Sequence, residues 1–408
     1  MNNRHLIISI FSVFFALQTY AQKSSIIIKL KTGVNKTQLE NQLKTRHNFK
    51  PVFHWHQKIK TLNNSRLSNI YSIECANPTE QSILLKQLNK LPGVIYAEQK
   101  PTVKLFETTD DPYATSQYYL GQINIFDAWD ITTGDSTVTI GIVDTGTDFT
   151  HDDLADKVAI NRNDPINGID DDLDGFIDNY YGWDLSENNN NAQADINGHG
   201  AIVAGIAAAS TNNSLGIAGV GYNTRYLPVK TMNSEGQLNT AWEGIVYAAD
   251  HEADIILCSW GGVVPTQFGK DVIDYATYDK NTLIVAAAGN SGNADVYYPA
   301  AYNEVLSVAA SNVNDQKWSG STYGYTIDLC APGEAIYSTN LGNNYISGNG
   351  TSFAAPSAAA LAALIKHQRP NLTALQIKQQ IVNTTYYLDT IPQNVIYAGK
   401  LGSGRLDA

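Results

Sequence analysis

Three cysteines in 408 residues are too few for a scaffold held together by disulfides. Charged residues are also sparse, at 16%, and their balance is acidic. There are 27 Lys plus Arg against 39 Asp plus Glu, a formal charge of −12. A nucleic-acid binder would show a basic face, so that class of partner is not expected. Beyond residue 21 no stretch reaches the roughly 18 consecutive apolar residues of a transmembrane helix, and no membrane span is expected. The 31 glycines follow no collagen-like period. What is abundant is apolar: 43% of the chain, enough for a sizeable core and against disorder of the whole. The length suits two or more domains, or one large domain with a leader.

The charge divides near residue 108. Residues 1–108 carry 15 Lys/Arg and 5 Asp/Glu, +10, and the remaining 300 carry 12 and 34, −22. This is either drift in surface composition or two pieces of one molecule that attract each other. Residues 1–21 read as a secretory signal: Arg4 supplies the positive start, residues 6–17 the apolar run, and Ala21 a small residue before Gln22. The expected location is secreted or cell surface. Residues 22–106 alternate strand-like and helix-like segments (strands 26–30, 70–75 and 94–97; helices 36–45 and 79–91), a compact α/β unit. Residues 106–112, polar and without periodicity, read as an exposed linker suited to proteolysis.

From residue 113 the pattern predicts buried strands at 138–143, 226–229, 255–258, 283–287, 305–309 and 327–329. Helices are predicted at 199–209, 240–251, 266–280 and 352–367. Such alternation implies an α/β fold, a parallel sheet covered on both faces, with chemistry at the carboxyl ends of the strands. Three residues stand out there. Asp144 ends the first strand, His199 opens a helix in Gly198-His-Gly200, and Ser352 opens another in Gly350-Thr-Ser-Phe-Ala-Ala-Pro356. Singly they read as a turn residue, a cap and a helix-start serine. Together, in the order Asp, His, Ser, they match one of three known orders of a nucleophile–base–orienter constellation. The helix N-terminus is expected to disfavour protonated His199 and keep it available as a base. Asn290, after a strand and a glycine turn in Ala286-Ala-Ala-Gly-Asn-Ser-Gly292, can donate to a developing oxyanion, worth about 3–4 kcal/mol.

On Val143-Asp-Thr-Gly146, Gly198-His-Gly200, Ser259-Trp-Gly261, Ala288-Gly-Asn290 and Gly350-Thr-Ser-Phe-Ala-Ala-Pro356, the chain resembles the subtilisin-type serine endopeptidases, the subtilases. The resemblance covers nearly everything after residue 21. It implies a subtilisin-like catalytic domain over 109–408, preceded by a small α+β, ferredoxin-like inhibitory propeptide over 22–108. It implies Asp144, His199 and Ser352 as the triad and Asn290 as the oxyanion donor. Ser259, Trp260, Gly261, Ala288 and Gly289 would bind substrate, the first three by pairing with its backbone, and Gly236 would lie on the opposite cleft edge. The partners implied are protein or peptide substrates and the chain's own propeptide, released by a cut near 106–111. Ala201-Ile202 stands where relatives carry Thr-His.

Asp170, Asp172 and Asp174, followed by Gly175, read as the start of a calcium loop, with Asp178 a further ligand. Position twelve is Tyr181, so the closing glutamate of a helix–loop–helix site is missing. The alternative is a solvated acidic loop; the resemblance adds calcium as a structural cofactor. Asp152 and Asp153 are candidates for another site. Cys75, Cys258 and Cys330 read as small buried hydrophobes, and the sequence does not decide whether Cys258 and Cys330 pair. By resemblance Tyr297 lies at the bottom of the primary specificity pocket, where a small residue is common, and would favour small or medium side chains. A non-catalytic binding protein and another serine hydrolase are the competing readings. The absence of a Gly-x-Ser-x-Gly elbow speaks against the second.

Overall fold

The computed structural model describes residues 24–43, 47–53, 67–101 and 109–408. The leader expected at 1–21 lies outside these residues, as does 106–108 of the expected linker. The chain divides into two compact units, Met1–Leu105 and Phe106–Ala408.

In the first unit the order is β1 (Ser24–Leu30), α1 (Lys36–Gln42), β2 (Lys50–Pro51), β3 (Ile70–Cys75), α2 (Pro78–Leu88) and β4 (Val94–Gln99). The sheet order is β2-β3-β1-β4, with every pair antiparallel. This is the βαββαβ arrangement of a ferredoxin-like unit. Alternation along β1 explains its one-sided packing. Ile26, Ile28 and Leu30 are buried against Leu39, Phe49, Ile73, Leu84 and Leu88, while Ile27 and Lys29 are only partly covered. The two-residue β2, Lys50-Pro51, carries no strand pattern of its own.

The second unit begins with α3 (Tyr118–Gln122) and α4 (Ile125–Ile131). It continues through β5 (Thr139–Asp144), β6 (Trp183–Asp184), α5 (His199–Ala208), β7 (Arg225–Lys230), α6 (Ala241–Asp250), β8 (Ile255–Cys258) and α7 (Gln267–Asp274). Then come β9 (Leu283–Ala287), β10 (Leu306–Ser311), β11 (Leu329–Pro332), the hairpin β12 (Ile336–Asn340) and β13 (Asn344–Gly348), α8 (Thr351–Gln368) and α9 (Ala374–Asn383). Seven strands form one parallel sheet in the order β11-β10-β9-β8-β5-β7-β6.

Both faces of that sheet are dry. Along β8, Ile255 and Leu257 join the core with α5 and α8, while Ile256 and Cys258 join the core with α6 and α7. Along β9, Leu283 and Val285 face the first core, Ile284 and Ala286 the second. A strand buried on both faces reads as a continuous apolar run, and each such aliphatic contributes about 1.5–3 kcal/mol. Gly141 in β5 lets α6 approach: a Cβ there would sit 2.8 Å from that of Ala248. The helix expected at 266–280 ends its α turns at Asp274 and runs on as a π-helical turn, Tyr275–Asp279. The last expected strand, 327–329, is displaced to β11.

The order of strands places the functional crevice. From β5 the chain builds β6 and β7 on one side, then crosses back to lay β8 to β11 on the other. Such a switch point leaves a crevice outside the carboxyl ends of the strands it separates, here at Asp144.

Candidate active site

Asp144 is the last residue of β5 and is buried. Its backbone is held from two sides. Thr231 donates to the Asp144 carbonyl through both N–H (2.9 Å) and Oγ1 (3.1 Å), and Trp260 Nε1 donates to the Val143 carbonyl at 2.9 Å. The carboxylate accepts from Thr145 N–H at 2.7 Å and from His199 Nδ1 at 2.8 and 3.0 Å to its two oxygens. A carboxylate can only accept, so Nδ1 carries the proton and Nε2 is the free lone pair.

His199 is the first residue of α5, and the start of that helix is fixed by its neighbours. Asn197 Oδ1 accepts from His199 N–H at 2.9 Å. Thr145 Oγ1 accepts from Gly200 N–H at 2.9 Å and donates to the Asn197 carbonyl at 2.9 Å. Two orphan donors of the first turn are thereby satisfied, and one of the acceptors comes from the residue after Asp144. Gly200 permits the approach, since a Cβ there would fall 2.0 Å from the Gly146 carbonyl oxygen. The expectation that the helix N-terminus holds the imidazole pKa down is overturned. Burial pushes it down, but the charge of Asp144 and its hydrogen bond together prevail and raise it above the ordinary 6.5.

Ser352 is the second residue of α8, buried, with its backbone N–H among the unpaired donors of the helix start. Its carbonyl accepts from Ser259 Oγ at 3.3 Å. Asn290 Oδ1 is occupied, accepting from Thr351 N–H and Thr351 Oγ1, both at 2.9 Å. The Asn290 amide nitrogen therefore points the other way. A Cβ on Gly350 would lie 3.4 Å from that nitrogen and 3.0 Å from Ser352 Oγ, so the two groups border one small space that only glycine leaves open. Helices α5 and α8 pack against each other. Among the described residues no hydrogen bond joins Ser352 Oγ to the imidazole; such bonds are commonly long without substrate.

Ser259, Trp260 and Gly261 leave β8 with no backbone hydrogen bond described for them, an edge open to pairing. Trp260 stacks edge-on against Trp242, with centroids 5.5 Å apart. Ala288 is buried, and Gly289 N–H donates to Thr351 Oγ1 at 3.1 Å. Gly236, at φ +80, turns the exposed tip that follows β7. Tyr297 lies against Gly289 and Gly261.

The acidic loop differs in part from its expectation. Asp170 and Asp172 do converge, and the third carboxylate with them is Asp164, all ligand atoms within 4.8 Å of one another. Asp174 is instead engaged by His251 Nε2 (2.8 Å) and Asn179 Nδ2 (2.9 Å). Asp178 accepts from the backbone N–H groups of Asn167 and Gly168, closing the loop on itself. Asp164 lies six residues before the motif, so no local spacing marks it. Asp152 is exposed, and Asp153 is consumed by Asn213 Nδ2 (3.0 Å) and Ile217 N–H (2.8 Å). Neither belongs to a ligand cluster among the described residues.

One further expectation is corrected, and the question left open for the cysteines is answered. Residues 109–112 are not a free linker: Asp111 is buried and accepts from Asn212 and Asn213 N–H, and Asp110 accepts from Ser214 N–H and Oγ. The linker reading rested on polarity, yet the carboxylates satisfy a loop's backbone donors. Cys258 and Cys330 are free and buried, and burial pushes both thiols up, Cys330 to about 12. Neither supplies a thiolate at neutral pH. No sequence pattern marks Thr145, Asn197 or Thr351 as functional. Thr145 and Thr351 stand inside the quoted motifs, but only the fold reveals what their hydroxyls hold.

Comparison with known proteins agrees with this geometry. The subtilase family model matches residues 135–404. The thermophilic serine proteinase of Bacillus sp. (strain AK1) is 40% identical over 304 residues, 74% of this chain and 70% of that protein. Thermitase of Thermoactinomyces vulgaris is 40% identical over 282 residues, 68% of this chain and 91% of that one. A protease of Pseudoalteromonas arctica superposes with a TM-score of 0.62 at 29% identity, covering 74% of this chain and 97% of that structure. No described helix is long and apolar enough to cross a membrane. With its seven-stranded parallel sheet and its matched length, the chain belongs to the subtilase family and is a serine endopeptidase acting on peptide bonds.

Proposed function

We propose that this chain is an exported subtilase made as a zymogen, with Ser352 as nucleophile, His199 as general base and Asp144 as its orienting partner. The observation that carries the reading is the pairing of two oriented groups. Asp144 fixes the imidazole tautomer, and Thr351 turns the Asn290 amide nitrogen towards Ser352 Oγ. Ser352 Oγ attacks the peptide carbonyl carbon while its proton passes to His199 Nε2. The oxyanion is held by Asn290 Nδ2 and Ser352 N–H. As the C–N bond breaks, His199 returns the proton to the leaving amine. Water, deprotonated by the same nitrogen, then attacks the ester carbon and frees Ser352. The open edge at Ser259–Gly261 suits substrate backbone added as a strand, with Gly236 on the opposite rim.

Residues 1–21 would direct export; halolysin-like Nep of Natrialba magadii and Epr of Bacillus subtilis are named as extracellular proteases. Residues 22–108 would act as propeptide, a reading supported by the charge contrast and by the ferredoxin-like unit. Asp164, Asp170 and Asp172 would hold calcium: three hard oxygen donors within 4.8 Å suit that ion, and their mutual repulsion calls for a cation. Calcium would order the loop between Asp144 and His199 and take no chemical step.

The test is intact-mass analysis of wild type and Ser352→Ala, each expressed without residues 1–21. The reading expects wild type alone to lose an N-terminal fragment ending before Asp110. Loss from both, or from neither even with calcium added, counts against self-processing by Ser352.

A further inference from the structure

One aromatic ring, Tyr297, packs against both segments that lead to Ser352. Strands β8 and β9 are neighbours in register, Cys258 opposite Ala286. The segments leaving them therefore run side by side towards Ser352. Ser259 Oγ reaches the Ser352 carbonyl, and Asn290 Oδ1 accepts from Thr351. Between these segments lies a slot, and each wall carries a glycine, Gly261 on one side and Gly289 on the other. The space their missing side chains leave is filled from below. A Cβ on Gly289 would stand 2.5 Å from Tyr297 Cδ2 and 2.6 Å from Cε2. One on Gly261 would stand 3.4 Å from Tyr297 Cβ and 3.8 Å from Cδ1. The ring thus touches both walls. It is held there by the next residue, because Tyr298 N–H donates to the Gly262 carbonyl at 2.7 Å and Gly262 N–H to the Tyr298 carbonyl at 2.8 Å.

A peptide whose carbonyl carbon meets Ser352 Oγ, with its oxygen towards Asn290 Nδ2, directs the side chain of that same residue at the slot. We propose that Tyr297 is a specificity-determining residue that closes this slot, so that the chain cleaves after small residues such as alanine or serine and discriminates against large aromatic ones. The proposal rests on the endopeptidase reading and names its substrate class. Gly289 is part of the device: its φ of +108 is a conformation that side chains rarely adopt, and the ring occupies the place a Cβ would take.

The experiment compares two blocked tetrapeptides that differ only before the scissile bond, alanine in one and phenylalanine in the other, with mature enzyme from the full chain. One methylene too many in a tight pocket changes kcat/KM by about 10- to 200-fold, so wild type should prefer the alanine peptide by at least about tenfold. Tyr297→Ala should erase or invert that ratio, and Tyr297→Phe, which keeps the ring, should preserve it. The wild-type ratio decides by itself if Tyr297→Ala fails to fold. Equal cleavage of both peptides by wild type overturns the proposal, as does an unchanged ratio in an active Tyr297→Ala enzyme. Failure of the endopeptidase reading looks different: neither peptide, nor casein, would be cut in a manner that Ser352→Ala abolishes.

Discussion

Replacing Asp144 by Asn keeps the size and shape of the side chain and removes its charge. In the structure that carboxylate does two things: it accepts the Nδ1 proton at 2.8 and 3.0 Å, and it offsets the burial that disfavours the imidazolium. An Asn amide can turn its NH2 to the ring and stabilise the other tautomer, which leaves Nε2 protonated and useless as a base. In comparable triads the kcat loss is ~10⁴, about 5.4 kcal/mol of barrier, with little change of structure. The pKa responds as well. With the charge gone, burial alone acts, and the His199 midpoint should fall from above 6.5 to below it. NMR titration of the His199 ring in Ser352→Ala, with and without Asp144→Asn, measures this directly, and peptide hydrolysis in the Ser352 enzyme gives the rate. An unchanged or higher midpoint would refute the electrostatic account. The same shift has a stability consequence. A histidine whose folded pKa is raised stabilises the fold fully below its unfolded value near 6.5, and this contribution is lost as pH rises through the folded pKa. The Ser352→Ala protein should therefore lose some denaturant resistance as pH climbs from below 6.5, while activity in wild type climbs over the same window. Removing the Asp144 charge should reverse that trend, because a His199 midpoint below 6.5 makes the denaturation midpoint rise with pH through the same window.

Two further outcomes follow from the site's supports. Asn290→Ala removes an oxyanion donor and should lower kcat by about 10²–10³ with KM little changed; Thr351→Val leaves the donor but frees its oxygen from one of two partners, so its loss should be smaller, near tenfold by one hydrogen bond. Calcium at about a hundred times its Kd should stabilise by ~2.7 kcal/mol, read as a chelator-sensitive melting temperature, and Asp164→Asn should remove most of that difference while an equal response in the variant would exclude the Asp164 cluster as the site.

Several features were legible because they are local. Continuous apolar runs at 255–258 and 283–287 mark strands buried on both faces, and these bounds coincide with β8 and β9. Asp144, His199 and Ser352, each within two residues of a glycine, stand at element ends because chemistry in such sheets sits where strands stop and helices start. Polarity misled at Asp110 and Asp111, where carboxylates serve a loop's donors rather than water. Spacing did not mark Asp164, because a run of acids says nothing about which carboxylate outside it the folded loop brings alongside Asp170 and Asp172.

What the sequence by itself determined is therefore the class of fold, the order of the three chemical residues and the exclusion of a disulfide scaffold, since periodicity, motif order and composition are properties of the chain alone. Tertiary structure decided the rest. Contact between β5 and α5 turns Asp144 onto Nδ1, and the approach of α8 to the segment after β9 aims the Asn290 amide. The bridge from Tyr298 to Gly262 sets the Tyr297 ring into its slot. Each depends on groups tens of residues apart meeting within hydrogen-bond or contact distance, and only the folded sheet brings them there.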